Sequence, residues 1–366
     1  MSILAGIWGQ IQASLFPHLA ESLEDPLTEK LRQVVAVLEI VRIEEHRVCR
    51  ERQWMGRMRS DRRTIARAFV VKAVYDFPTT EMLIERLQFD RSLRRICGWE
   101  RRSQVPSAST FSRAFAELAR ANVGDDVHEA LVRTHVGERI VGHISRDSTA
   151  IEAREKPANK PKPEPRKKYP RGRPKKGEVR EPVEAKTRLP KQVSQSAEEA
   201  IAELPIACDV GAKRDSKGNA HYWVGYKLHL DTADGGLPIT ALTTSASMHD
   251  SQAAIPMAKR TAERVVALYE IMDSAYDAQL IYETITNLGH KPIIDNHPRK
   301  KDAIPFDPAT AERYKERTTA ERANSRLKDQ FGASHVRVKG HPKVRMHLMF
   351  GVLVLFADQS LKLISS

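Results

Sequence analysis

The sequence predicts an α/β protein: a mixed sheet with helices on its faces, preceded by an all-α N-terminal domain. Three observations predict it. Residues 1–137 carry apolar side chains at helical spacing. Two β-rich runs flank Asp234-Gly235-Gly236, a hairpin signal. Strand and helix patterns then alternate, and three antiparallel strands followed by such alternation give a mixed sheet with covered faces.

In the N-terminal part, "LTEKLRQVVAVLEIVRIEEH" and "RRTIARAFVVKAVYD" are helical by period. "FPTTEMLIERL" and "VPSASTFSRAFAELARA" begin with Pro, Ser and Thr, which start and cap helices. Two short helices before a capped third resemble a helix-turn-helix, with Arg113 near the start of the third. A plain bundle carrying Arg113 on its outside reads equally well.

Residues 138–152, around "IVGHISRDSTAIE", read as a strand with a polar end. Residues 153–199 form a Pro-, Lys- and Glu-rich tract that reads as a flexible linker. Order returns over 200–340, where "HYWVGYKLHL" and "LPITALTTSAS" are strands and "DSQAAIPMAKRTAERV" is a helix. The strand "VALYEIMD", the helix "AQLIYETITNLG" and the strand "KPIID" follow, then one long helix over 312–330. Residues 341–366 are expected to add a C-terminal helix that closes the core of the sheet domain.

The formal charge is +13 and the pI near 9.6. Between Arg154 and Lys191 stand 15 Lys/Arg against 5 Glu, a surplus of +10 that leaves only +3 elsewhere. A basic surplus of this size suggests nucleic acid or an anionic surface. The three cysteines, Cys49, Cys97 and Cys208, form no CxxC pair, which argues against a zinc or disulfide scaffold and for a reducing compartment. The apolar run "LMFGVLVLFA" is too short to cross a bilayer, and no secretion signal stands at the N-terminus. No membrane partner is expected, and the location expected is the cytoplasm, with the nucleoid. No GxxxxGK[ST] loop exists, so no nucleotide cofactor is expected.

"ERYKERTTAERANSRLKDQ" has little apolar content to bury, yet Tyr314, Arg317, Glu321 and Lys328 fall within an arc of about 60° on a helix. The stripe is either a solvated face with incidental charge pairs or a carboxylate flanked by cations and an aromatic that faces a phosphate chain. Asp147 ends the first strand and Asp273 ends "YEIMD", and sites gather at strand ends of such sheets. If those strands are neighbours, the two acids meet, and a helix on the sheet face adds Glu321. Three carboxylates repel unless cations relieve them. Two Mg²⁺ ions leave the site attractive to phosphate and suit in-line displacement at phosphorus.

The spacing Y-x2-R-x3-E-x6-K, met by Tyr314, Arg317, Glu321 and Lys328, resembles the signature of DDE transposases of bacterial insertion sequences. "DSTAIEAREK", "YWVGYKLHL", "SASMHDSQAAIP" and "MDSAYDA" are similar to that family's blocks, in its order. "PTTEMLIERL" and "PSASTFSRAF" resemble its N-terminal domain. The resemblance implies a ribonuclease-H-like catalytic fold, two Mg²⁺ ions with Mn²⁺ as a substitute, and strand transfer by a 3′-hydroxyl. It implies Asp147, Asp273 and Glu321 as catalytic metal ligands, and Tyr314, Arg317 and Lys328 as contacts to DNA phosphates near the scissile bond. The partners implied are double-stranded DNA, as terminal inverted repeats and target, and a second copy of the chain in a homodimer on DNA. The alternatives are a ribonuclease-H-like nuclease without strand transfer, and a non-catalytic DNA-binding protein derived from a transposase.

Among the other acids, Asp231 and Asp234 read as turn formers and Asp250 as the cap of the helix from Ser251. His249 reads as a loop histidine rather than a partner of the site. Tyr276 reads equally as a base-stacking or a core residue. Within the linker, "KKYPRGRPKKG" contains Arg171-Gly172-Arg173-Pro174, which resembles an AT-hook. Arg171 and Arg173 then follow a narrow A·T minor groove, and Lys175 and Lys176 add phosphate contacts. The other reading is a polycation that tracks phosphates without sensing groove width.

Overall fold

Among the described residues, Thr28, Asp61, Thr79 and Asp90 open the first four α-helices, each side chain accepting a hydrogen bond from a first-turn amide. These are α1 (Glu29–Val41), α2 (Arg62–Val74), α3 (Thr80–Phe89) and α4 (Arg91–Cys97). Gly98, at φ 103°, ends α4 in the left-handed conformation that glycine adopts without strain. Two longer helices, α5 (Ala108–Arg120) and α6 (Val123–His135), follow. The computed structural model describes residues 27–46, 60–137, 139–159, 188–214, 218–296 and 305–365. The Thr79 start signal is where the sequence puts it. The two short helices α3 and α4 before α5 are present as expected, but Ser107 at the start of α5 gives no side-chain cap, because its hydroxyl bonds those of Ser109 and Thr110 instead.

Six strands make one sheet among the described residues: β1 (Ile140–Glu152), β2 (Asp209–Arg214), β3 (Ala220–Ala233), β4 (Pro238–Ser245), β5 (Val266–Met272) and β6 (Lys291–Ile294). β1 is central, antiparallel to β3 and parallel to β5, and β6 continues the sheet parallel to β5. The other edge of β3 is shared end to end by β2 and β4. This is the mixed, ribonuclease-H-like sheet that the sequence predicts, and the Asp234-Gly235-Gly236 turn joins β3 to β4. At Gly225, β3 pairs with both Glu152 of β1 and Asp209 of β2. A Cβ there would stand 2.2 Å from the Ile151 carbonyl oxygen, so a side chain would break the β1–β3 pairing.

Two differences from the sequence reading concern elements with weak local signals. β2, "DVGAKR", is too short and too polar to show alternation, and pairing with β3 creates it. The linker expected to run to residue 199 gives way earlier, to α7 (Leu189–Ser194) and α8 (Ala197–Ala202). Ser196 and Glu199 form a capping box, and Leu189, Ala197 and Ala200 are buried. Lys259, on α9 (Ser251–Ala262), binds the carbonyls of Gln192, Val193 and Gln195 and ties the pair to the domain.

Past α10 (Gln279–Asn287), the helix expected over 312–330 is divided. α11 (Pro308–Tyr314) leads through a 3₁₀ turn, Lys315–Arg317, into α12 (Thr318–Gln330). The Ser145 hydroxyl on β1 donates to the Glu316 carbonyl at 2.8 Å and holds the turn against the sheet. The last helix, α13 (His341–Ser365), packs on both the sheet domain and the N-terminal helices, where the sequence predicts only the former. Its Phe350 ring meets Phe69 and Phe115 of the N-terminal helices, while Leu363 lies against Gly235 at the β3–β4 turn. Arg345 pairs with Asp125 of α6 at 2.8 Å. By length and composition α13 is apolar enough to cross a membrane. Most of its apolar side chains are instead consumed inside the fold: Val344, Val352, Leu353, Val354 and Phe356 are fully buried in one core shared by both domains.

Candidate catalytic face

The pairing of β1 with β5 ends at Ser145 opposite Ile271. Two more residues along each chain bring Asp147 opposite Asp273, and strand alternation points both toward the face that carries Ser145. Asp147 does not end its strand as the sequence suggests, because pairing with β3 carries β1 on to Glu152. That face is covered by α12, whose Asn324 donates to an Asp147 carboxylate oxygen at 3.0 Å. Asp273 lies just past β5, where its carboxylate accepts the Ala275 amide at 3.0 Å and caps the following turn.

Both carboxyls are pushed above the ordinary aspartate range, first by burial. The Asp273 charge adds to the shift at Asp147, and the Asp250 charge adds to it at Asp273. Two half-buried acids therefore face each other with their charge incompletely compensated. Beside them are two orphaned polar atoms: the Tyr276 hydroxyl and the Asn324 amide oxygen are buried with no hydrogen-bond partner among the described residues. Oxygen ligands, excess negative charge and unsatisfied polar atoms together fit a hydrated divalent cation of the hard, oxygen-seeking kind.

Glu321 stands apart from this pair. It is exposed on α12 and makes an ion pair with Arg317 at 2.8 Å. Among the described residues no three acids, histidines or cysteines gather closely enough to hold a metal. The structure thus brings together Asp147 and Asp273 but leaves Glu321 one helical turn before Asn324, engaged with a cation. The stripe itself is present: the Arg317 guanidinium lies 5.8 Å from the Tyr314 ring centroid, over its face. Burial pushes the Tyr314 phenol up to about 12. Lys328, half-buried, has its ammonium pKa lowered by burial and by Lys213 of β2, with Asp147 and Glu152 opposing. Arg317 is within electrostatic reach of Asp147, Asp273 and Glu321.

Several acids fall elsewhere than the sequence suggests. Asp231 is no turn former: it is fully buried and binds Arg146 through both oxygens, at 2.7 and 2.8 Å. Arg146 also meets Glu270 at 3.0 Å, and Glu270 meets His290 at 2.7 Å. This network lies on the sheet face opposite Asp147 and grips β1, β3, β5 and the residue before β6. Asp250 makes no cap; it pairs with Lys227 at 2.7 Å. His249 supplies that cap, its Nδ1 accepting the Ser251 amide at 3.3 Å. Tyr276 is a core residue. Sequence reasoning passed over Asn324, although it stands three residues beyond Glu321 on the same side of the helix, and Lys213, which sits on a strand without a local signal. Arg113 is exposed on α5, its guanidinium donating to the Ser109 carbonyl at 3.3 Å. Arg171, Arg173, Lys175 and Lys176 lie outside the described residues.

Comparison with known proteins agrees with this architecture. The family model described as "Transposase DDE domain" matches residues 142–357, more than half of the chain. The model described as "Transposase domain (DUF772)" matches residues 20–117. No curated protein and no solved structure matches. The first match begins inside β1, spans both aspartates and α12, and ends inside α13, so nearly all of the sheet and its acidic face fall within it. The second takes in α1 to most of α5. A helical domain of that kind joined to a catalytic domain of this kind makes the chain a member of the DDE transposases.

Proposed function

We propose that the chain cuts DNA at the terminal inverted repeats of its own element and joins the freed 3′-hydroxyl ends to target DNA, with Asp147, Asp273 and Glu321 as the catalytic acids. The observation that carries this reading is the pair of half-buried aspartates on adjacent chains, Asp147 within β1 and Asp273 just past the end of β5. Their charge is incompletely compensated, and they lie on the face covered by α12.

Asp147 and Asp273 would hold divalent metal, with Glu321 completing the set. Mg²⁺ is the natural choice, with Mn²⁺ as a substitute. Bound there, a pair of such ions supplies an activated hydroxyl nucleophile and stabilises the leaving oxygen. The protein's own part is positional and electrostatic. Asn324 holds one Asp147 oxygen, and the Ala275 amide holds one Asp273 oxygen. When Glu321 turns from Arg317 to the aspartates, the Arg317 fork is freed for a DNA phosphate. Tyr314 and Lys328, on the same stripe, would flank that phosphate. Arg113 on the exposed face of α5 would contact the repeat. The basic tract with Arg171, Arg173, Lys175 and Lys176 would hold A·T-rich DNA close by. Two DNA ends require two copies of the chain, so we expect a two-fold dimer on DNA.

The test is incubation of the protein with a labelled duplex carrying the DNA that borders its gene, with and without Mg²⁺. Strand joining that depends on Mg²⁺ is the expected result. Cleavage without joining would make the protein a nuclease, and binding alone would make it a non-catalytic descendant.

A further inference from the structure

A cleft of about 460 Å³ opens where the helical domain meets the catalytic domain, away from the aspartates. Lys72 of α2, Arg154 beyond β1, and Arg337, Lys339 and Lys343 around the α12–α13 connection line it, against a single acid, Glu81. Its apolar floor includes Phe69, Phe115 and Phe350. The first residues of α3 and α5, Thr80 and Ala108, also border it, so two helix N-termini add partial positive charge.

Lys72 is the group that needs an explanation. It is 9% exposed and lines the cleft, yet its ammonium makes no hydrogen bond and no ion pair within 4 Å among the described residues. Its stem is buried while its ammonium opens into the cleft, where an anion can reach it. Burial, with the nearby Arg337 charge, lowers its pKa to about 8 against the raising influence of Asp76 and Glu81, so it stays largely protonated at neutral pH.

The anion that fits belongs to a polymer rather than a small molecule. Arg337 and Lys339 are exposed and carry the positive surface outward from the cleft. Arg154 begins the stretch whose surplus is +10. Ser112, beside Arg113 on α5, lines the same cleft. We propose that this cleft seats backbone phosphates of the duplex on which the enzyme acts, with Lys72 as the buried anchor and Arg337 and Lys339 as the rim. The proposal rests on the transposase reading above, and it adds a DNA-binding site that bridges the two domains.

The test uses the full chain and a labelled duplex of the DNA bordering the gene, with affinity measured by anisotropy across a salt series. Lys72→Met keeps the aliphatic packing and removes the charge. Arg337→Ala/Lys339→Ala alters only exposed residues and so guards against misfolding. Each phosphate that the protein no longer neutralises should lower the slope of log affinity against log salt by about 0.9. Both variants are therefore expected to bind several-fold more weakly with shallower slopes, at parental melting temperature. Parental affinity and slope in both would overturn the proposal. So would calorimetric binding of inorganic pyrophosphate that Lys72→Met abolishes while duplex binding is unchanged. If the unaltered protein binds and cuts the duplex while both variants bind like it, only the cleft assignment fails. If the unaltered protein binds no duplex, the transposase reading fails with it.

Discussion

Asp273→Asn is expected to bind the element's DNA ends as tightly as the parent and to lose cleavage and joining by on the order of 10³-fold or more. The substitution separates charge from shape. Asn keeps the oxygen that accepts the Ala275 amide, so the turn after β5 retains its cap. It removes the negative charge that, with Asp147, would hold the metal. Because burial and the Asp250 charge raise the Asp273 pKa in the folded state, the ionised form is disfavoured there relative to the unfolded chain. At neutral pH the neutral variant should therefore be at least as stable as the parent. Lost activity with unimpaired melting and binding would mark a residue kept for chemistry at the expense of stability. Cleavage at the parental rate would remove Asp273 from the site.

Arg146→Met is expected to destabilise the fold by about 3–5 kcal/mol, measured as a fall in the urea midpoint at constant slope. Arg146 is 1% exposed and is held by Asp231 and Glu270, whose side chains are fully buried. Methionine replaces the aliphatic stem but leaves two carboxylates without their cation in a dry interior. Desolvation, rather than missing attraction alone, then sets the cost. Adding Asp231→Asn and Glu270→Gln to Arg146→Met should recover much of the stability, because the orphaned groups become neutral. A destabilisation below about 1 kcal/mol for Arg146→Met would show that water reaches the network. The network matters to the site because Arg146 directly precedes Asp147 and its guanidinium also reaches the Met272 sulfur, next to Asp273. The same clamp that joins the strands sets the spacing of the two acids on the opposite face.

How far the sequence can be read follows from which interactions are local. Asp273 is legible because the apolar pattern shows where β5 ends, whereas Asp147 is placed not by a strand end, since β1 runs on to Glu152, but by the parallel pairing of β1 with β5. The Tyr314–Arg317–Glu321 stripe is legible because helical spacing fixes it, and the 3₁₀ turn between α11 and α12 does not disperse it. Asp231 misleads because it stands three residues before a real turn at Asp234. Only the tertiary fold shows that β3 continues through it and that Arg146 waits across the strand pair. β2 carries no alternation of its own, and α7 and α8 are hidden in a Pro- and Lys-rich stretch until a capping box and burial against α9 make them helices. Glu321 is the instructive case. Its place on the helix face follows from the sequence, but its partner is decided by competition between Arg317, adjacent on the helix, and the acids across the cleft. Local geometry favours Arg317 at 2.8 Å.

That competition is the step on which metal binding by three acids turns. Crystals of the protein soaked in Mn²⁺ and measured at the manganese absorption edge would show directly which side chains take the ion. The expected result is anomalous density shared by Asp147 and Asp273, with the Glu321 carboxylate turned away from Arg317 toward it. Density bound elsewhere, or ions at the aspartates while Glu321 stays on Arg317, would contradict the three-acid site.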